Sequence, residues 1–235
     1  MNDRVCIVTG VGEGNGRSIS RRFAAAGYRV AMLARSKGRL DAFEKAIADT
    51  RSYACDVTDP AAIAATVDAV RKDLGPIDCL VHNAGSGMFA DFMSTSPEDM
   101  ELSWRINTLA LLLLGQPCAE DMLRKGAGNV VVVGATSALR GGANFTPFAS
   151  AKAGQRSLAQ SMARSLGPRG IHVSYVVVDG VIDIPRTRAT DWAKDQPDEF
   201  FIKPDHIAET VFMLTEQPRS SWTFELDIRP FGEKW

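Results

Sequence analysis

The chain has 235 residues, with 27 Lys+Arg against 28 Asp+Glu, a formal net charge of −1, and 45% hydrophobic and 23% charged residues. That balance excludes a global positive field for nucleic acid or an anionic membrane, and it suits one globular domain with a full core over 1–235. No apolar run approaches the length of a membrane span, and Met1-Asn2-Asp3-Arg4 leads at once into a first strand, which leaves no room for a signal peptide. Cys6, Cys55, Cys79 and Cys118 lack metal-ligand spacing, so no metal is expected; they read as core thiols of a reducing compartment, the cytoplasm.

Residues 4–9 form the first strand, around Val5-Cys6-Ile7-Val8. Thr9-Gly10-Val11-Gly12-Glu13-Gly14-Asn15-Gly16 follows and opens into a helix carrying Ile19, Phe23 and Ala26, with Gly27 as its stop. Strand, glycine turn and helix is the setting in which backbone N–H groups meet the pyrophosphate of a dinucleotide. Here Gly10, Gly12, Glu13, Gly14, Asn15 and Gly16 are the candidate contacts; an ordinary glycine-rich connector is the alternative. Arg29 to Leu33 is the second strand, and it ends at Ala34-Arg35-Ser36-Lys37 with no carboxylate. An acidic residue at this point suits an unsubstituted ribose and a basic one a 2′-phosphate. Arg35, helped by Ser36, therefore favours NADP(H) over NAD(H), unless Arg35 and Lys37 are solvated charges at a helix entry.

A helix runs to about Ala48, and Ser52-Tyr53-Ala54-Cys55 is a short third strand ending at Asp56-Val57. These two residues are candidates for the adenine edge, although a carboxylate there also serves as a cap or turn residue. Asp59-Pro60 starts the next helix with a capping side chain and a proline in the first turn. Its Ile63, Val67, Val70 and Leu74 share one face. Asp78 to His82 is the fourth strand and leads into Asn83-Ala84-Gly85.

The series Thr9-Gly10-x-x-x-Gly14-x-Gly16, Asp56-Val57 and Asn83-Ala84-Gly85 resembles the classical short-chain dehydrogenase/reductase family over nearly the whole chain. The resemblance implies a single Rossmann-type, doubly wound α/β domain with a parallel sheet of about seven strands, and the strand–helix alternation points the same way. It also implies an NAD(P)-linked oxidoreductase whose Asn83, Ala84 and Gly85 line the cofactor.

Pro97 to Lys125 reads as one long helix with Asn107 in its middle. In the family an asparagine here holds an active-site water through its backbone and belongs to a catalytic tetrad; otherwise it is a polar residue in a poor helical position. Gly128 to Gly134 is the fifth strand, and Phe145 to Leu166 the next long helix. The family pattern places a serine at the end of that strand and a tyrosine–x–x–x–lysine in that helix. Here Ala135 stands at the serine position, and Phe148-Ala149-Ser150-Ala151-Lys152 keeps the lysine but has phenylalanine for the tyrosine. A phenyl ring delivers no proton. Ser137, with Thr136, Thr146 and Ser150, is the candidate replacement hydroxyl, although Thr136 and Ser137 also suit turn capping. Lys152 keeps its implied role at the nicotinamide ribose; a surface lysine is the alternative.

Ile171 to Val178 is the sixth strand, with His172 read as a core or edge histidine. The family's Pro-Gly and following threonine are replaced by Asp179-Gly180-Val181-Ile182-Asp183-Ile184, where Gly180 and Ile182 are candidates to flank the nicotinamide. The polar stretch of about 184–203 matches the family's substrate lid, with Arg186 and Arg188 as possible anion contacts. A last helix runs from Ile207 to Glu216, and Trp222 to Ile228 is the seventh strand. The tail from Arg229 to Trp235 carries aromatics suited to a subunit contact, and the family's habit of pairing its long helices implies a dimer or tetramer.

Two functions follow. The first is an NADP(H)-dependent oxidoreductase moving hydride to or from a small carbonyl, alcohol or polarised C=C substrate with a non-standard proton donor. The second is a catalytically silent NADP(H)-binding sensor or oligomeric partner protein.

Overall fold

The computed structural model describes residues 3–232. In chain order it contains β1 (Val5–Thr9), α1 (Asn15–Ala25), β2 (Arg29–Ala34), α2 (Lys37–Ala46), β3 (Thr50–Ala54), α3 (Pro60–Asp73) and β4 (Ile77–His82). Next come α4 (Pro97–Trp104), a π-helical turn (Arg105–Leu109), α5 (Ala110–Lys125), β5 (Gly128–Val133), α6 (Thr146–Leu166) and β6 (Ile171–Val178). The chain closes with β7 (Val181–Ile182), α7 (Pro185–Arg188), β8 (Phe201–Ile202), α8 (Pro204–Thr215) and β9 (Glu225–Ile228).

Seven strands form one parallel sheet in the order β3-β2-β1-β4-β5-β6-β9. Side chains alternate across it, as the two-residue period of a strand requires. Val5 and Ile7 face Ile63, Val67 and Val70 of α3 and Leu111 and Leu114 of α5. Cys6 and Val8 face Ile19 and Phe23 of α1, Leu40 of α2, and Ile207 and Val211 of α8. With helices on both faces, the central strands bury every residue, the polar Asp78, His82, His172 and Ser174 among them. The four cysteines are buried free thiols within these layers. Strand order reverses between β1 and β4, so the crevice beyond their carboxyl ends is the topological switch point, where ligands bind in open α/β sheets.

Four sequence readings need correction. The helix expected over 97–125 is α4 and α5 joined by the π turn that holds Asn107. The Asn107 side chain donates to the Ser103 carbonyl at 2.9 Å, four residues back, where a regular helix would offer a backbone N–H. The third strand begins two residues earlier than expected, at Thr50, and the seventh starts at Glu225 rather than Trp222. Within the polar 184–203 stretch lie α7 and β8, the latter pairing in parallel with β7. Arg188 grips Asp183 with two hydrogen bonds, at 2.7 and 3.1 Å, and Lys203 closes on the same carboxylate. These cations hold the Asp183 carboxyl down at about 2. Arg188 is thereby engaged inside its own segment. The tail's Phe231 is exposed, whereas 233–235, including Trp235, lie outside the described residues. Among the described residues no helix is long and apolar enough to cross a membrane, and no cluster of ligand-type side chains suits a metal.

Candidate active site at the sheet switch point

The glycine turn is fixed by what it touches. Gly10 has φ +66, and a Cβ there would lie 2.7 Å from Ala84 Cα and 2.9 Å from the Asn83 carbonyl. A Cβ on Gly16 would lie 2.6 Å from Val11 Cα. Both positions admit only glycine because backbone fills the space. Gly12 differs: among the described residues nothing stands within 4 Å of the place its Cβ would take, so that side of the turn is open. No side chain caps the start of α1, and Asn15 Oδ1 is buried without a hydrogen-bond partner among the described residues. Uncapped N–H groups, an open glycine and an orphaned polar atom fit a pyrophosphate at this helix start. Glu13 is exposed in the turn and borders a cavity of about 390 Å³ shared with Arg17, Ser18, Asp183 and Lys203. Ile184, at the family's threonine position, packs on Gly14: a Cβ there would sit 2.8 Å from Ile184 Cγ2.

Thr9 joins the ends of β1 and β4. Its hydroxyl accepts from the Asn83 and Ala84 N–H groups at 3.1 and 2.9 Å, while Asn83 Nδ2 donates to the carbonyls of Thr9 and Gly10 at 3.2 and 3.0 Å. At the end of β2, Arg35 and Ser36 are exposed; among the described residues Arg35 forms no salt bridge, its charge acting on Asp56 only through space, and Ser36 makes no side-chain cap to α2. Neighbouring Lys37 is engaged with Asp41 at 2.9 Å. Asp56 accepts from the Thr58 N–H and hydroxyl at 2.9 and 2.8 Å, bonds that hold its carboxyl below the usual range; Val57 packs beside the core. Gly180 lies against Pro230, whose Cδ would be 2.5 Å from an added Cβ, and Ile182 is half-buried in β7.

The reactive end centres on Lys152. It is 5% exposed, and its Nζ donates to the Val133 carbonyl at 3.1 Å and to Gln155 Oε1 at 3.0 Å. Gln155 in turn donates to the Asn107 carbonyl at 2.6 Å. Lys152 and Asn107 are thus brought together through a side chain that sequence reading missed. A signal was present: Gln155 is polar and three residues from Lys152 in α6, which puts both on one face. Burial pushes the Lys152 ammonium down to about 8. His82 on β4 is fully buried and pushed down to about 3, first by burial and then by the Lys152 charge, so it is neutral. Asn107 Oδ1 and Ser86 Oγ are buried and unpartnered among the described residues, and Asn107 Oδ1 lies 3.1 Å from where a Cβ on Gly85 would be. Lys152 Nζ lies 3.5 Å from that same point.

Phe148 holds its ring 5.9 Å from Lys152 Nζ and packs edge-on against Phe89 at 5.5 Å; Phe89 also meets Phe145 at 4.9 Å. The three tyrosines lie elsewhere. Tyr28 is buried under Arg4, Tyr53 reaches Asp73, and Tyr175 lies beneath Gly134 with its hydroxyl 3.4 Å from Gln155 Oε1. Tyr175 is fully buried, and burial raises its phenol, so it presents no proton to a ligand. Among the candidate hydroxyls, Thr136 donates to Asp179 and Ser150 to the Pro147 carbonyl. Ser137 is half-buried in the turn after β5, and its side chain is joined to neither Lys152 nor Asn107. His172 is a structural residue, stacked on Trp222 at 4.8 Å with Nε2 on the Thr223 carbonyl.

Known proteins resemble the chain over most of its length. The family profile described as short chain dehydrogenase matches residues 4–194. L-xylulose reductase of Bos taurus is 30% identical over 230 residues, covering 94% of this chain and 91% of its own. The 3-oxoacyl-(acyl-carrier-protein) reductase MabA of Mycobacterium tuberculosis is 33% identical over 223 residues, covering 92% and 87%. A metagenomic short-chain oxidoreductase solved in complex with NADP superposes with a TM-score of 0.84 at 28% identity, over 98% of each chain. The glycine turn, the switch-point crevice and these matches agree, and the chain belongs to the short-chain dehydrogenase family of oxidoreductases.

Proposed function

We propose that this chain is an NADP(H)-dependent oxidoreductase that moves hydride to or from a small carbonyl, alcohol or polarised C=C compound, with a proton donor other than tyrosine. The observation that carries this reading is the buried Lys152–Gln155–Asn107 chain ending beside Gly85 at the switch point, a polar arrangement that is costly to bury without a use. Gly10, Gly12, Glu13 (through its backbone), Gly14, Asn15 and Gly16 would hold the pyrophosphate, and Arg35 with Ser36 the 2′-phosphate. Asp56 and Val57 would border the adenine, Asn83, Ala84 and Gly85 the middle of the cofactor, and Lys152, Gly180 and Ile182 the nicotinamide end. When bound, the nicotinamide supplies or accepts the hydride. The protein's share is orientation, exclusion of water by the 184–203 segment, and control of a proton near Lys152.

L-xylulose reductase and MabA are named for the reduction of carbonyl compounds, which supports a carbonyl substrate. A polarised C=C substrate is the variant that Phe148 favours, because its proton goes to carbon and comes from water. The silent NADP(H)-binding sensor or partner is the second reading, supported by Phe148, Ala135 and Ile184 at three positions near the reactive end.

Titration with NADPH and NADH, followed by assay on aldehydes, ketones and enones, decides among these. NADPH is expected to bind more tightly. Arg35→Ala is expected to weaken NADPH about tenfold, roughly 1.4 kcal/mol, and to leave NADH unchanged. Equal losses for both nucleotides would remove the 2′-phosphate from the reading. NADPH binding without turnover of any panel compound would favour the silent protein.

A further inference from the structure

Lys152 and its neighbours account for one more role, which rests on the oxidoreductase reading. An ammonium has three N–H donors. Two of those on Lys152 are spent inward, on the Val133 carbonyl and Gln155 Oε1. The third has no acceptor among the described residues, and the nitrogen that carries it lies beside Gly85 and the Phe148 ring. The Asn107 carbonyl, which the family resemblance assigns to a water, is taken by the Gln155 amide. An amide passes no proton onward as water does. The inner side of Lys152 is therefore closed.

We infer that Lys152 itself is the proton donor of this site, and that Gln155 is the positioning residue that, beside the Val133 carbonyl, turns a second N–H group inward and leaves one for the substrate. In the reducing direction, a bound reduced nicotinamide would supply the hydride to the substrate carbon. Its oxygen gains a proton from Lys152 Nζ, forming O–H as N–H breaks, and the lysine is left as a neutral amine. Solvent recharges that amine once product has left, because Gln155 blocks the inner route. Burial suits the lysine to this chemistry by bringing its ammonium to about 8, close to the pH at which it must lose and regain a proton. The groups around it are His82 on β4, neutral through burial, the Asn107 carbonyl in the π turn, Val133 on β5, Phe148 and Gln155 on α6, and Tyr175 on β6. No carboxylate pairs with it among the described residues.

The test uses the full chain and whichever panel compound wild type reduces. Turnover at saturating NADPH is expected to fall as pH rises through about 8, because the donor must be protonated. Gln155→Leu removes an acceptor that favours the ammonium and moves this limb to lower pH; Gln155→Glu supplies a negative charge and moves it to higher pH. Opposite shifts are a result that a merely structural glutamine would not give. Lys152→Arg keeps the positive charge but holds its proton at every working pH. It is expected to bind NADPH within about threefold of wild type and to lose at least 100-fold in turnover. Turnover retained by Lys152→Arg overturns the donor role, and an alkaline limb that neither Gln155 variant moves overturns the positioning role. If wild type reduces nothing, the oxidoreductase reading fails and the donor role with it. Should either glutamine variant fail to fold, the arginine variant and the wild-type limb still decide.

Discussion

Phe148→Tyr is expected to raise turnover of aldehydes and ketones about 100-fold, at the lower end of the roughly 10²–10⁴ that positioned acid–base catalysis contributes. The change adds one hydroxyl to a ring already 5.9 Å from Lys152 Nζ and held edge-on by Phe89. A phenol beside an ammonium has its pKa lowered, which makes it a better acid at neutral pH. The gain is placed at the lower end because Gln155 and Val133 keep that ammonium turned inward. A polarised C=C substrate takes its proton at carbon, so its turnover is expected to change less than twofold. Matched measurements of kcat/KM on a ketone and an enone check both. Ketone turnover that stays at the wild-type level would mean that the missing phenol does not limit this site. A variant that reduces ketones when wild type reduces nothing would point to the silent protein instead.

Gly10→Ala is expected to unfold about 10 °C below wild type. The left-handed conformation at φ +66 costs a residue with Cβ about 1–2 kcal/mol. The new methyl would meet Ala84 Cα at 2.7 Å and the Asn83 carbonyl at 2.9 Å, which are backbone atoms with nowhere to go. Overpacking of this kind costs about 1–3 kcal/mol more, and each kcal/mol lowers Tm by roughly 2–4 °C in a domain of this size. The hydrogen bonds that join Thr9 and Gly10 to Asn83 would strain together, so NADPH binding should fall as well. Gly12→Ala is the informative companion. Its Cβ meets nothing within 4 Å, so its Tm should stay within about 2 °C of wild type while NADPH binding weakens. Thermal melts with and without NADPH separate the two. A Gly10→Ala melt at the wild-type temperature would mean that β1 and β4 are not locked together at this point.

Much of this protein was legible in its sequence because the relevant forces are local or periodic. Short, mostly apolar runs mark strands buried between two helical layers, and they became β1, β2, β4, β5 and β6. Asp59 followed by Pro60 specified the start of α3, and Asp59 accepts from the Ala61 N–H at 2.8 Å as a cap should. The glycine spacing located the turn. It did not reveal that Gly10 and Gly16 are needed for close backbone contacts while Gly12 is open, because that depends on where Ala84 and Val11 come to lie.

The site itself divides along the same line. Sequence alone determined a doubly wound sheet, a glycine turn at its switch point, a basic Arg35 and no carboxylate at the end of β2, and phenylalanine where the family has tyrosine. Tertiary structure decided the rest. Asn107 sits in a π turn because its side chain takes the Ser103 carbonyl, a competition between side chain and backbone that helical periodicity does not encode. Gln155 joins Lys152 to Asn107 across 48 positions of chain, and Ile184 reaches the glycine turn from beyond β6. The ammonium of Lys152 is shifted by the atoms that shut water away from it, which belong to β4, β5, β6 and the π turn. A residue's neighbours along the chain set its conformation, but its acidity is set by neighbours in space, and only the folded sheet brings those together.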